Sequence, residues 1–312
     1  MRTNPMRNAE CGMRNAESRS MLQEFRTPHS ALRTRRAFTM IEIAISLAII
    51  GFALVAIIGV LPIGMNVQKD NREETIINQD ATVLMDAIRN CAQGLDDLTN
   101  YVIAITNDVH IYTYVVNRPM TVQPVGTYGY TRSNSSFNGS PMSLQFPLTN
   151  GFRIVGLLST PKYVPWVSAR PVGSGYYSNN VVAYVRSMSG DAYEKYPQSN
   201  PDVQDLGFSY RMTSEVVPYG TNYYDPSWTA ADTNYAKVVN NLNANLHDVR
   251  LTFRWPLRSR GQLGMGGQAF RTLAGGFLQE TNEPGYYRSA SAPLVPTPYD
   301  LYFFQSRTYV KQ

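Results

Sequence analysis

The chain is poor in the residues from which most active centres are built. Its 312 residues include two cysteines, Cys11 and Cys91, and three histidines. Zinc sites need three or four ligands at short spacings, and no such spacing occurs here. Catalytic signatures are missing as well: there is no G-x-S-x-G elbow, no H-E-x-x-H pair and no EF-hand loop. GQLGMGG (261–267) lacks the Lys-Ser/Thr of a phosphate loop and reads as a hairpin. His247 adjoins Asp248, but neighbours along a strand point to opposite faces, which makes them a poor dyad. Asp96-Asp97 and Asp202/Asp205 offer two carboxylates apiece, thin support for calcium. The expectation is a protein without catalytic residue, metal or cofactor.

Charge is sparse too, at 16% of residues, and it is unevenly placed. A formal charge of +5 and a pI near 9.1 invite a nucleic-acid partner. Residues 1–37, however, hold eight Arg, no Lys and three Glu (Glu10, Glu17, Glu24), a net of +5. From Phe38 onward basic and acidic residues balance at twenty each. The basicity belongs to an N-terminal leader, and no nucleic acid is expected as a partner. Cys11 lies in that leader, and Cys91 reads as a small buried apolar residue. MRNAE occurs twice, at 6–10 and 13–17, too short for a solenoid repeat. Met13 and Met21 are alternative starts.

What the chain does possess is one long apolar run. From Ile43 to Gln68 there are 26 residues without a formal charge. The stretch Ile43 to Met65 contains one hydroxyl, Ser46, in 23 residues. As a helix it reaches about 35 Å, enough to cross a bilayer with slight tilt. A secretory signal core is about 7–15 residues, so this run is too long for a simple cleaved signal. Arg33, Arg35 and Arg36 precede it and keep the N-terminus cytoplasmic. The expected topology is a single pass of the membrane, with lipid as a partner and the rest of the chain outside. Glu42 stands at the edge of the run. Deep in the apolar layer an acid costs about 2.5–3.5 kcal/mol, and less near an interface. Either it rests at headgroup level or it meets a buried positive charge.

The residues around Glu42 carry a resemblance. Ala37 follows the arginines and precedes Phe38-Thr39-Met40-Ile41-Glu42, then an Ile/Leu/Ala-rich helix containing Ile49-Ile50-Gly51. This resembles the type IV pilin and pseudopilin family, with its basic leader, small residue, F-T-L-I-E and hydrophobic helix. The likeness covers about a tenth of the chain. It implies cleavage by a prepilin peptidase between Ala37 and Phe38, and N-methylation of Phe38. It implies that Glu42 neutralises the new α-amine inside a filament's helix bundle, a pairing that makes two lone charges in hydrocarbon tolerable. Ala37 stands where Gly is usual, and Met40 where Leu is usual. A looser similarity, through LPIGMN and the overall layout, is to the Verru_Chthon cassette pseudopilin-like proteins. Thr34-Arg35-Arg36-Ala37-Phe38 also matches the start of a twin-arginine export signal. Against that stand the length of the run, the lack of an A-x-A site and the acid at Glu42. A plain uncleaved signal anchor is a further alternative.

Gly59, Pro62 and Gly64 cluster three helix-weakening residues within the span. They read either as a mild kink or, following the resemblance, as a stretch that unwinds on assembly. Ala44 and Ala48 form a small-xxx-small pair. Beyond Met65, Ile77, Ala81, Leu84, Ile88, Cys91 and Leu95 recur at helical spacing, opposite Arg72, Glu73, Asn78, Asp86, Arg89 and Gln93. The pattern predicts one helix over 38–98, membranous over about 41–65. From Tyr101 the period becomes two. YVIAIT (101–106) and HIYTYVV (110–116) read as adjacent strands around Asn107-Asp108, and FRIVGLL (152–158), NVVAYVRSM (180–188), GFSYRMT and DVRLTFRW are further candidate strands. In the last, Val249, Leu251, Phe253 and Trp255 alternate with Arg250, Thr252 and Arg254, one face covered and one wet.

SNSSFNGS (133–140), RPVGSGYYSNN (170–180) and VPYGTNYYDPSWTAADTN (217–234) read as long surface loops. Tyr176, Tyr177, Tyr223, Tyr224 and Trp228 are candidates for a contact surface. The tail ending YDLYFFQSRTYVKQ reads as a final strand. The expected fold is α+β and pilin-like, a long N-terminal helix packed on an antiparallel sheet. Its parts are a leader (1–37), the helix (38–98), a β-rich head (99–282) and a tail (283–312). The resemblance implies a minor pilin or pseudopilin of 275 residues after cleavage. Its implied partners are prepilin peptidase, other pilin or pseudopilin subunits and an inner-membrane assembly platform. The destination would be a type IV pilus or a type II secretion-like filament. The competing class is a single-span anchored binding module that never polymerises.

Overall fold

A computed structural model of the protein describes residues 38–91, 95–114, 119–131, 144–168, 173–189, 208–220, 233–258, 261–282 and 296–311. The chain divides into two compact units, Met1–Leu61 and Pro62–Gln312. Helix α1 runs from Met40 to Arg89, continuous through Pro62. In the N-terminal unit every described residue is exposed, including Ile41, Leu47, Phe52 and Ile57. Apolar side chains bare on all sides of a helix mark a segment whose solvent is lipid or another helix.

In the second unit α1 changes character. Ile76, Ile77, Asp80, Ala81, Leu84, Met85, Ala87 and Ile88 are buried. Ile77, Leu84 and Ile88 are fully so, each contributing about 1.5–3 kcal/mol by leaving water. The helix ends at Arg89, short of the expected Leu98, and Cys91 follows at φ +50°. That left-handed turn redirects the chain, and Cys91 is half-buried, not buried as expected. A short helix α2 (Leu98–Tyr101) leads into the sheet.

The sheet contains β1 (Val102–Tyr114), β2 (Thr121–Thr131), β3 (Leu144–Pro147), β4 (Tyr163–Ser168), β5 (Gly173–Arg186), β6 (Ser209–Pro218), β7 (Leu246–Leu257) and β8 (Leu263–Gly275). Their order is β3-β2-β1-β5-β6-β7-β8, with β4 pairing β5 beside that path. All pairings are antiparallel except β2–β3. The expected architecture thus holds at the level of α+β, with a sheet that is mixed at one edge. Strands β9 (Phe277–Asn282) and β10 (Asp300–Gln305) form a separate two-stranded antiparallel sheet, β10 being the strand expected in the tail. Ile105, Val181, Ala183, Tyr210, Met212, Val249, Leu251 and Phe253 join the α1 stripe in one cluster. The alternation read in DVRLTFRW is present, with its apolar members buried and Arg250, Thr252 and Arg254 exposed.

Other readings need correction. From Val102 to Tyr114 the two candidates YVIAIT and HIYTYVV form one strand, β1, because Asn107 and Asp108 are held in the ladder instead of turning. Asn107 donates to the Asn179 side chain at 3.1 Å, and Asp108 accepts from Thr127 at 2.9 Å. FRIVGLL is not a strand but helix α3 (Gly151–Leu158). Asn150 caps it, accepting from the Arg153 N–H at 2.9 Å. A side chain at Gly151 would collide with the Leu95 carbonyl, and one at Gly156 would come within 2.8 Å of Phe303. Close docking on β10 fixes α3, against the strand propensity of its β-branched residues. The stretch 173–180, read as loop, belongs to β5. SNSSFNGS, Gln93 and most of 217–234 lie outside the described residues, before helix α4 (Thr233–Asn245) begins.

Candidate functional site

The residues singled out by the sequence gather at the start of α1. Ala37 lies outside the described residues, and Phe38 is exposed immediately before the helix. Thr39 is the N-cap in chemistry: its carbonyl accepts the Ile43 N–H at 3.2 Å, the first helical bond. The Glu42 carboxylate accepts from the Thr39 N–H at 2.9 Å and from the Thr39 hydroxyl at 3.0 Å. The Thr39 hydroxyl in turn accepts from the Glu42 N–H at 3.3 Å. This is a capping box, the reciprocal pairing written S/T-x-x-E. It satisfies two helix-end donors and sets an acid against the positive end of the helix dipole. The signal was present in the sequence as Thr39-Met40-Ile41-Glu42, so Glu42 has a local role besides the one the resemblance implies.

Gly59, Pro62 and Gly64 all lie inside α1, which remains helical through them. Pro62 cannot donate to the Ile58 carbonyl, and each glycine costs about 1 kcal/mol against alanine. Nothing lies within 4 Å of where a Cβ would stand at Gly51, Gly59 or Gly64. No intrachain packing therefore demands a missing side chain at these three positions. Asp80, unnoticed in the sequence, moors α1 inside the second unit. It is buried and accepts from the Met188 N–H (3.0 Å), the Ser189 N–H (3.1 Å), the Ser189 hydroxyl (2.8 Å) and the Tyr210 hydroxyl (3.1 Å). Burial raises its pKa despite those bonds. Its signal was positional: residue 80 falls between Ile77 and Leu84 on the apolar stripe, where only a bonded acid is tolerated.

The chemistry-bearing residues elsewhere are dispersed. His247 is buried edge-on to Phe304, its Nδ1 without a partner, and burial lowers its pKa to about 4. Asp248 points to the other face of β7, where Arg250 and Arg271 both reach it at 2.7 Å. Burial would raise that carboxyl, but the two arginines outweigh it and hold it low. His110 stands 3.6 Å from Asp108. Asp96 accepts from the Gly151 N–H at 3.0 Å, and no group of three or more metal-ligating side chains occurs among the described residues. Tyr176 stacks on Tyr112 with centroids 4.6 Å apart, whereas Tyr177 is buried, so the two do not share a surface. Tyr223, Tyr224, Trp228, Asp202 and Asp205 lie outside the described residues. An open, mostly apolar groove of about 520 Å³ beside α4, lined by Val238, Leu242 and Tyr309, offers no ionisable group but that phenol. Compared with family models, with curated proteins and with solved structures, the chain has no match.

Proposed function

We propose that the chain is a structural subunit of the pilin type, a minor pilin or pseudopilin. In this reading prepilin peptidase cuts between Ala37 and Phe38 and methylates Phe38, and an inner-membrane platform assembles the product into a type IV pilus or type II secretion-like filament. The observation that carries the reading is the bare first half of α1, apolar on every side, with three glycines at which no described residue comes within 4 Å of an added Cβ. Small residues allow other helices to come close where lipid or neighbours are the only covering. A new α-amine on Phe38 would stand at the positive end of the α1 dipole, an unfavourable place for a cation. Glu42 is the first acid after it in the chain and the natural counter-charge.

The capping box favours a second reading, a single-span anchored module that never polymerises, because Thr39 alone satisfies Glu42. Glu42→Gln separates the two. Glutamine keeps the cap through its carbonyl oxygen but removes the charge. The assembly reading expects Glu42→Gln to insert in the membrane, lose its leader and fail to enter filaments. If Glu42→Gln enters filaments as the parent does, while Thr39→Ala impairs the protein, capping is the role of the acid and the charge-pairing idea is wrong.

A further inference from the structure

The sheet face turned away from the core cluster carries an arrangement that the single chain leaves unfavourable. Arg211 on β6 lies directly opposite Arg254 on β7, and two residues along each strand from that row Thr213 lies opposite Thr252. A further two residues on, Arg250 lies opposite Arg271 on β8. Two rows of guanidinium groups thus flank a row of small side chains, with rows about 7 Å apart along the strands. Glu215 on the same face is taken by Lys162, and Asp248 serves Arg250 and Arg271. No acid serves Arg211 or Arg254 among the described residues, and the Nε of Arg211 is shielded from solvent without a partner. Arg254 lies over Gly267, where an added Cβ would stand 3.2 Å from its Nη1, so the glycine leaves room for it. Like charges directly opposite on adjacent strands repel.

The converse arrangement occurs on α1. Asp70 and Glu74 are exposed, one helical turn or about 6 Å apart, and like charges at that spacing also repel. Glu73 between them is engaged by Lys69 at 3.7 Å. Of the carboxylates among the described residues, Asp70, Glu74 and Asp97 alone have neither hydrogen bond nor ion pair. Asp70 and Glu74 are the only two of these within a helical turn of each other.

We propose that the Arg211–Arg254 row receives the Asp70–Glu74 pair of a second copy of this chain. Used head to tail, with the acids of each copy on the arginines of the next, the contact is heterologous and extends from copy to copy. Each repulsion is relieved by the other, and neither surface requires an outside ligand. The inference rests on the assembly reading above and supplies a contact for it outside the membrane.

The test uses the chain in membranes after removal of its leader, from Phe38 onward, cross-linked and resolved by size, with the melting temperature of each solubilised variant as a folding control. Arg211→Glu/Arg254→Glu and Asp70→Lys/Glu74→Lys should each weaken association by on the order of a hundredfold and collapse the ladder of multimers. Combining all four substitutions should restore the ladder. If the wild-type chain, leader removed, gives no ladder, the assembly reading falls and this contact with it. If the wild-type ladder forms and folded reversal variants leave it unchanged, or the combination fails to restore it, the contact alone is refuted. Loss of retention on anionic phospholipid vesicles by the arginine variant, with an unchanged ladder, would assign the face to a membrane surface instead.

Discussion

Replacing Asp80 by alanine tests how α1 is held to the sheet. The carboxylate accepts four hydrogen bonds, two from backbone N–H groups that cannot turn away and two from hydroxyls that can. A buried donor left unsatisfied costs about 1–3 kcal/mol, and removing a buried charge returns part of that loss. The net expectation for Asp80→Ala is about 3 kcal/mol, which lowers the melting temperature of a unit this large by about 6–12 °C. Asp80→Asn keeps the shape but sets an amide donor against donors, and about 2 kcal/mol is expected. The pH dependence has a definite sign. Burial raises the Asp80 pKa, so the native state binds its proton at a pH where the unfolded chain has already lost it. Stability from this group falls as pH rises through the window from the ordinary carboxylate pKa up to the raised one. The margin of wild type over Asp80→Asn should therefore be wider at the acidic end of that window than at pH 7. The assay is thermal unfolding of detergent-solubilised full-length protein, followed by near-ultraviolet circular dichroism. An Asp80→Ala protein that melts within about 1 °C of wild type would refute the reasoning, since one lost bond alone is worth more.

Two further outcomes follow from the same physics. His247 is kept neutral by burial, with a folded pKa of about 4 against an ordinary value of 6.5, so the unfolded chain binds the extra proton between them. Stability should fall as pH drops through that window, by about 3 kcal/mol in total, and His247→Leu should flatten the slope in a pH series of melts. Gly156→Val should cost about 1–3 kcal/mol by forcing Phe303 and Leu301 aside, read as a lower melting temperature, whereas Gly267→Ala meets flexible side-chain atoms first and should cost less.

Much of this fold could be read from residue patterns because the patterns were long. The apolar run, the 77–88 stripe and the alternation in β7 each repeat often enough that tertiary context could not override them. FRIVGLL misled because a stretch of seven residues, apolar but for Arg153, fits either period, and what decides for helix is the Asn150 cap and the contact of Gly156 with β10, more than a hundred residues away in sequence. Asn107-Asp108 misled because turn-forming side chains can instead be satisfied across strands, as these are by Asn179 and Thr127. At the candidate site Glu42 was legible as an oddity in an apolar setting. Its bond to Thr39 is equally legible, as the S/T-x-x-E pattern of Thr39-Met40-Ile41-Glu42. The arginine rows could not be seen at all without register, since Arg211 and Arg254 become neighbours only when β6 and β7 pair.

The central claim is that the chain becomes an assembly subunit by losing its basic leader. Mass spectrometry of the N-terminal peptide of protein isolated from its native membrane tests it most directly. The account predicts a chain beginning at N-methylated Phe38. A chain that retains Arg35 and Arg36, or that starts after Met65, would contradict it.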